Sequence, residues 1–214
     1  EPKVLAGVYE VIKALYGVSV EADSAPVWHA DVRFFRILDA RNVLVGQFYL
    51  DLYAREGKRG GAWMDDCRNH RKKGNEVQTP VVLLTCNFGK SADGKPATFS
   101  HDDVVTLFHE MGHGLHQLLT RVGELGVAGI NGVEWDAVEL PSQFMENFCW
   151  EWARIQAMTA HVDSGNVTEG SFLAVAASGV LSNDVAGADG FAANGGVVGV
   201  RAAGLEGVVP EGDR

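Results

Sequence analysis

A run of apolar residues between Ser100 and Leu119 leaves little freedom in how the middle of this chain can fold. Val104, Leu107, Phe108, Met111, Leu115, Leu118 and Leu119 step by three and four, the period of a helix that buries one face. Ser100 precedes them as an N-cap candidate, and Asp102 and Asp103 suit the positive first turn. Into the same helix are set two histidines and a glutamate, His109, Glu110 and His113.

Around this helix the pattern changes period. Val4, Leu5, Val8, Val11, Ile12 and Leu15 predict a short amphipathic helix over 3–16, ending near Gly17. Val32, Phe34 and Phe35, then Val43 through Tyr53, are rich in β-branched and aromatic residues, with Asp39 to Asn42 as a turn between them, and predict a hairpin. Val81 to Cys86 is a continuous apolar run that predicts a third strand inside the same small sheet, and Asn87 to Ser100 reads as a loop. Arg71-Lys72-Lys73 reads as a solvated loop and Arg59-Gly60-Gly61 as a tight turn. Past the glycine-bearing connection Gly123 to Gly132, a second helical segment is expected from about Asp136 to Ala160. Pro141 either sits in its first turn or kinks it.

Composition breaks sharply after His161. Residues 163–214 hold 11 Gly, 9 Ala and 9 Val, with no His, Cys, Trp or Tyr. A boundary is expected near 162–165, separating a unit over 1–162 from a β-prone or poorly ordered tail over 163–214. The whole chain, with 214 residues, 46% hydrophobic and 21% charged, has an ordinary globular composition. Its net charge of −10 argues against a phosphate backbone as partner. No run of 18 apolar residues suggests a membrane span, and the first residues do not read as a secretory signal. Cys67, Cys86 and Cys149 stand far apart and read as free thiols of a reducing compartment.

His109-Glu110-Met111-Gly112-His113 is an H-E-x-x-H motif. Residues four apart share a helical face, so both imidazoles can reach one ion, while Glu110, turned by about 100°, can reach a water beside it. Neutral imidazoles suit zinc, and a catalytic zinc takes a third protein ligand and one open position. Glu139 is the expected third ligand, one zinc being held per chain, and Asp136 is expected to accept the distal N–H of a ligand. Gln143 and Glu146 extend a polar stripe from Glu139 that would face the site or solvent. With Glu110 as general base, an acidified water attacking a polarised carbonyl gives peptide hydrolysis as the expected reaction class. A competing reading makes His109 and His113 ordinary polar residues of an amphipathic helix; the helix they occupy and the acid that follows favour the metal. His116 can touch the site or cap the helix. His29, His70, His101 and His161 read as satisfied polar residues, and Trp63, Trp135, Trp150 and Trp152 as packing residues.

The stretch Phe108 to His116, followed by Gly129-Ile130-Asn131-Gly132-Val133-Glu134-Trp135-Asp136-Ala137-Val138-Glu139-Leu140-Pro141-Ser142-Gln143-Phe144-Met145-Glu146-Asn147, resembles the thimet oligopeptidase (M3) family of zinc metallopeptidases. Val27-Trp28-His29, Phe48 to Arg55 and Lys58 to Cys67 resemble it too, so the likeness covers residues 1–162. It implies zinc on His109, His113 and Glu139, a general base at Glu110, short peptides as substrates, and a cytoplasmic enzyme with a mainly helical fold. It also implies a large helical portion before the matched stretch and a later tyrosine-bearing loop that stabilises the oxyanion; no residues here match either. Phe172 to Asp184 is similar to the opening of cadherin-like VCBS repeats of bacterial adhesins. The expected fold class is therefore α+β, a mainly helical catalytic fragment with a small sheet and a β-prone tail. The expected function is zinc-dependent endopeptidase activity on short peptides, the alternative being a catalytically silent zinc-binding fragment fused to an adhesion or assembly module.

Overall fold

The structure is a computed structural model that describes residues 1–91 and 95–151. The 163–214 tail, His161, Trp152 and the later part of the second expected helix lie outside these. Helix α1, Pro2–Tyr16, buries Val4, Leu5, Val8, Val11 and Ile12. Gly17 closes it at φ 66°, donating its N–H to the Lys13 carbonyl at 3.0 Å.

Seven strands follow: β1 Ser19–Asp23, β2 Arg33–Leu38, β3 Leu44–Tyr53, β4 Trp63–Arg68, β5 Arg71–Lys73, β6 Glu76–Gln78 and β7 Val81–Phe88. Five of them form one sheet in the order β1-β2-β3-β7-β4. The expected hairpin is β2 against β3, with Phe35 opposite Phe48, and the expected third strand is β7, parallel to β3. Alternation sends Phe48, Leu50 and Leu52 of β3 and Val82, Leu84 and Cys86 of β7 to one fully buried face. Helix α2, His101–Leu118, lies across β7, β3 and β4 and contributes Leu107, Phe108, Met111 and Leu118, none of them exposed. Its first turn is fixed by a capping box. The Ser100 hydroxyl accepts the Asp103 N–H at 3.2 Å, and Asp103 accepts the Ser100 N–H at 2.8 Å.

The described residues are not mainly helical, contrary to expectation: strand and helix occur in nearly equal measure. β1 (Ser-Val-Glu-Ala-Asp) and β4 (Trp-Met-Asp-Asp-Cys-Arg) carry no apolar run, because each sits at a sheet edge and needs only main-chain pairing on one side. Arg71-Lys72-Lys73 is likewise strand β5, paired with β6 as a separate exposed ribbon. The second helix, α3, is Leu140–Glu146, followed by a 3-10 turn at Asn147–Cys149. It starts at Leu140 rather than Asp136 because Pro141 occupies its first turn, where a missing N–H costs nothing.

Toward the end of the central strand β3, Asp51 gathers cations. Its carboxylate, 4% exposed, accepts from Arg55 at 2.6 and 2.8 Å, from Lys58 at 2.8 Å and from the Trp28 indole at 3.1 Å. Burial acts to raise the Asp51 carboxyl, but the hydrogen bonds from Arg55, Lys58 and Trp28 outweigh it and hold the group at about 2. A depressed folded value stabilises the protein above the ordinary carboxyl range. That contribution, about 2 kcal/mol, is lost as pH falls from about 4 through about 2. Asp51→Asn is expected to cost about 3 kcal/mol in urea unfolding at neutral pH and to flatten the acid limb of stability against pH. An unchanged acid limb would contradict this. The Lys58 ammonium, only 6% exposed, keeps the carbonyls of Asp51, Tyr53 and Cys86 as acceptors, which places the cost at the low end for a broken buried pair.

On and beside α3, Leu140 is 71% exposed and Phe144 46%, with Trp135 at 92% and Trp150 at 67% nearby in sequence. Neither tryptophan is a packing residue in the sense expected, although Trp63, partly buried, lies under the Arg59 guanidinium. Apolar surface of this kind promotes association. The chain is expected to self-associate on size-exclusion chromatography, with Leu140→Ser and Phe144→Ser together shifting it toward monomer; an unmodified monomer at tens of micromolar, about what such runs use, would refute this.

Candidate metal centre

The side chains that matter come from two helices held unusually close. At Gly112, on the α2 face toward α3, an added Cβ would lie 2.5 Å from the Pro141 carbonyl oxygen and 2.6 Å from the Ser142 Cα. Only glycine permits this approach, and the approach is what carries Glu139, the residue capping α3, to the histidines of α2. His109 and His113, one turn apart, present their rings 4.9 Å apart and nearly perpendicular. Glu139 Oε2 stands 3.3 Å from His109 Nε2 and 3.1 Å from His113 Nε2. Among the described residues, these three form the group of His, Cys, Asp or Glu side chains that could hold a metal ion.

The donor set fits a zinc ion. Bonds of about 2.0–2.1 Å in a tetrahedron place neighbouring donors roughly 3.3 Å apart, close to both separations seen here. The hydrogen bonding points the same way. His109 Nδ1 lies 2.6 Å from Glu146 Oε1, which leaves Nε2 as the ring nitrogen turned toward Glu139. A histidine that donates from Nδ1 to a carboxylate binds a metal through Nε2.

Glu139 is itself held. The Ser142 hydroxyl, fully buried, lies 2.9 Å from Glu139 Oε2 and 2.8 Å from the Glu139 carbonyl. Burial acts to raise the Glu139 carboxyl, but the Ser142 hydrogen bond and the neighbouring histidines hold it below its ordinary value. His113 is lowered, chiefly by burial, against the pull of Glu139. Both shifts favour the forms that bind a metal: carboxylate and neutral imidazole.

Glu110 differs from its neighbours. It is 5% exposed, and its Oε2 has no hydrogen-bond partner among the described residues. Burial pushes its carboxyl up to about 7, opposed by His109 and reinforced by the negative Glu139.

Asp136 does not take the place expected for it. It is exposed, with no side-chain hydrogen bond among the described residues, because the turns over 134–139 leave it outside the helix pair. The carboxylate at His109 Nδ1 is Glu146 instead. His116, half-buried, keeps Nδ1 unpartnered among the described residues and makes no contact with Glu139. His70 donates from Nδ1 to the Val122 carbonyl at 2.7 Å, and His29 Nδ1 accepts the Asp31 N–H at 3.2 Å, both as satisfied loop residues. His101 is buried with its ring edge-on to Trp150 at 4.2 Å, and its Nε2 is unpartnered among the described residues.

Comparison with known proteins bears directly on this arrangement. The sequence pattern of peptidase family M3 matches residues 1–175. The chain belongs to peptidase family M3. Oligopeptidase A of Escherichia coli (strain K12) is 57% identical over 167 residues, 77% of this chain and 25% of the relative. Organellar oligopeptidase A, chloroplastic/mitochondrial, of Arabidopsis thaliana is 44% identical over 171 residues, again 77% of this chain and 22% of its own length. A dipeptidyl carboxypeptidase of Salmonella typhimurium is 40% identical over 160 residues, 74% of this chain and 23% of the relative. The chain thus spans about a quarter of the length of the curated relatives it matches. No described helix is long and apolar enough to cross a membrane.

Proposed function

We propose that this chain carries the zinc-binding and general-base half of an oligopeptidase active site. The observation that carries the reading is the convergence of His109 Nε2, His113 Nε2 and Glu139 Oε2 at donor spacings suited to one zinc. When bound, zinc supplies a Lewis acid that brings water toward neutral acidity and polarises a carbonyl. Glu110, one residue along the helix and desolvated, is the group placed to take a proton from water. With its carboxyl near 7, it can hold that proton and return it to the leaving amine. Glu139, kept ionised by Ser142, and the two neutral histidines serve the ion and not the proton.

Short peptides as substrates are supported by the relatives named oligopeptidase A, and a cytoplasmic setting by the probable cytosolic oligopeptidase A of Arabidopsis thaliana, beside which an organellar form also stands. Cleavage within the peptide, as opposed to release of a C-terminal dipeptide, is the reading favoured by the higher identity to those relatives. A second reading follows the change of composition after His161: a unit that holds zinc without turnover, with the 163–214 tail serving adhesion or assembly. The test is zinc stoichiometry of the 214-residue chain beside hydrolysis of a quenched fluorescent oligopeptide, with His113→Ala as control. One zinc per chain with cleavage, both lost in the variant, supports the peptidase; zinc without cleavage supports the second reading; no zinc uptake defeats both.

A further inference from the structure

Beyond the ligands, α3 presents Glu139, Ser142 and Glu146 at successive spacings of three and four, one face directed at α2. Glu139 is the third ligand, and Ser142 is hydrogen-bonded to it. Glu146 does something else. Its Oε1 lies 2.6 Å from His109 Nδ1, and its side chain is 32% exposed against 27% for the histidine, so the contact is partly screened from water. We propose that Glu146 is a positioning residue, which fixes the ring orientation of His109 and so makes α3 the source of both a ligand and the brace for its opposite ligand. The inference rests on the zinc reading of the site.

A neutral imidazole has one N–H, and whichever nitrogen carries it is lost to the metal. With Glu146 accepting from Nδ1, the lone pair is left on Nε2, the nitrogen 3.3 Å from Glu139 Oε2. Without Glu146, nothing among the described residues holds the His109 ring by Nδ1. The two ligands differ here: His113 Nδ1 has no partner among the described residues, so the brace is specific to His109. Because Glu146 stands seven residues after Glu139 on one short helix, the brace and the third ligand move together. Assembly of the site is therefore a single docking event of α3 on α2, permitted by Gly112.

The test uses the full chain in two parts. In the zinc-loaded chain, the ring N–H resonance of His109 reports the contact directly: a slowly exchanging Nδ1–H is expected in the parent and a rapidly exchanging one in Glu146→Ala. Zinc affinity, read by competition with a chromophoric chelator, is expected to weaken about 10–100-fold in Glu146→Ala. Glu146→Gln, whose amide oxygen still accepts from Nδ1, is expected to stay within a few-fold of the parent. The visible spectrum of the cobalt-substituted chain should move in the alanine variant and be restored in the glutamine one, which a merely structural role would not produce. Parent-like zinc affinity in Glu146→Ala, with His113→Ala losing zinc, would overturn the brace and leave the zinc reading intact. Absence of a slowly exchanging Nδ1–H in the zinc-loaded parent would overturn it as well, even if Glu146→Ala did not fold. Failure of the parent itself to take up zinc would remove the zinc reading and the brace with it.

Discussion

Gly112→Ala is expected to abolish tight zinc binding while leaving the chain folded. The new methyl group would meet the Pro141 carbonyl oxygen at 2.5 Å and the Ser142 Cα at 2.6 Å, and both are backbone atoms that no rotamer change can move aside. Ordinary contact requires α3 to retreat by about 1 Å. Glu139 caps that helix, and its Oε2 sits 3.1 to 3.3 Å from the two histidine nitrogens, so the retreat is transmitted directly to the third ligand. Zinc–ligand distances tolerate only about 0.2 Å. Affinity should therefore fall by more than the roughly 100-fold that loss of an outer hydrogen bond brings. Stability should change less. Alanine gains about 1 kcal/mol over glycine in a helix interior, against about 1–3 kcal/mol for overpacking at the α2–α3 contact. Chelator competition and thermal unfolding in the presence of EDTA separate the two effects. Zinc affinity within a few-fold of the parent would show that α3 reaches the histidines by some route other than the close approach at Gly112.

Most of what positions the site could be read from residue order, for reasons that differ by element. The period of α2 was legible because its stripe is fully buried against β7, and its start because Ser100 and Asp103 form a local capping box that needs no tertiary partner. β3 and β7 were legible because central strands must be apolar. The edge strands β1 and β4 and the exposed ribbon of β5 and β6 were not: their stabilisation is main-chain pairing, which leaves no mark on side-chain pattern. Within the site, His109, His113 and Glu139 carry the chemistry in their own identity and spacing. The outer contacts do not. Asp136 and Glu146 are both acids near Glu139, three residues before it and seven after, and only the turn geometry over 134–139 decides that Glu146 faces His109 while Asp136 faces solvent. The polar stripe through Gln143 and Glu146 was the available signal, and it could not say which member was used. Gly112 gave its signal only as the small residue inside the motif, since the reason for it lies at Pro141 and Ser142 of another helix.

Glu110→Gln is expected to lower peptide hydrolysis by about 10²–10⁴-fold, the range general base catalysis contributes, while leaving zinc affinity within a few-fold of the parent. The two outcomes separate because Glu110 makes no contact with Glu139 Oε2 and its own Oε2 has no partner among the described residues. Replacing a desolvated carboxyl by an isosteric amide also removes the cost of keeping a charge at a position only 5% exposed. The folded state should accordingly be no less stable in the variant above neutral pH, where the parent must ionise a carboxyl whose burial pushes it up to about 7. The sign follows from the raised value: the buried acid is tolerated while protonated and becomes destabilising as pH rises past the ordinary carboxyl range, so the metal-free parent should lose stability relative to Glu110→Gln between about pH 5 and 8. A variant that retains parent-like cleavage would move the general base to another residue. A variant that loses zinc together with cleavage would make Glu110 a structural support of the ligands, and the division of labour along α2 would have to be redrawn.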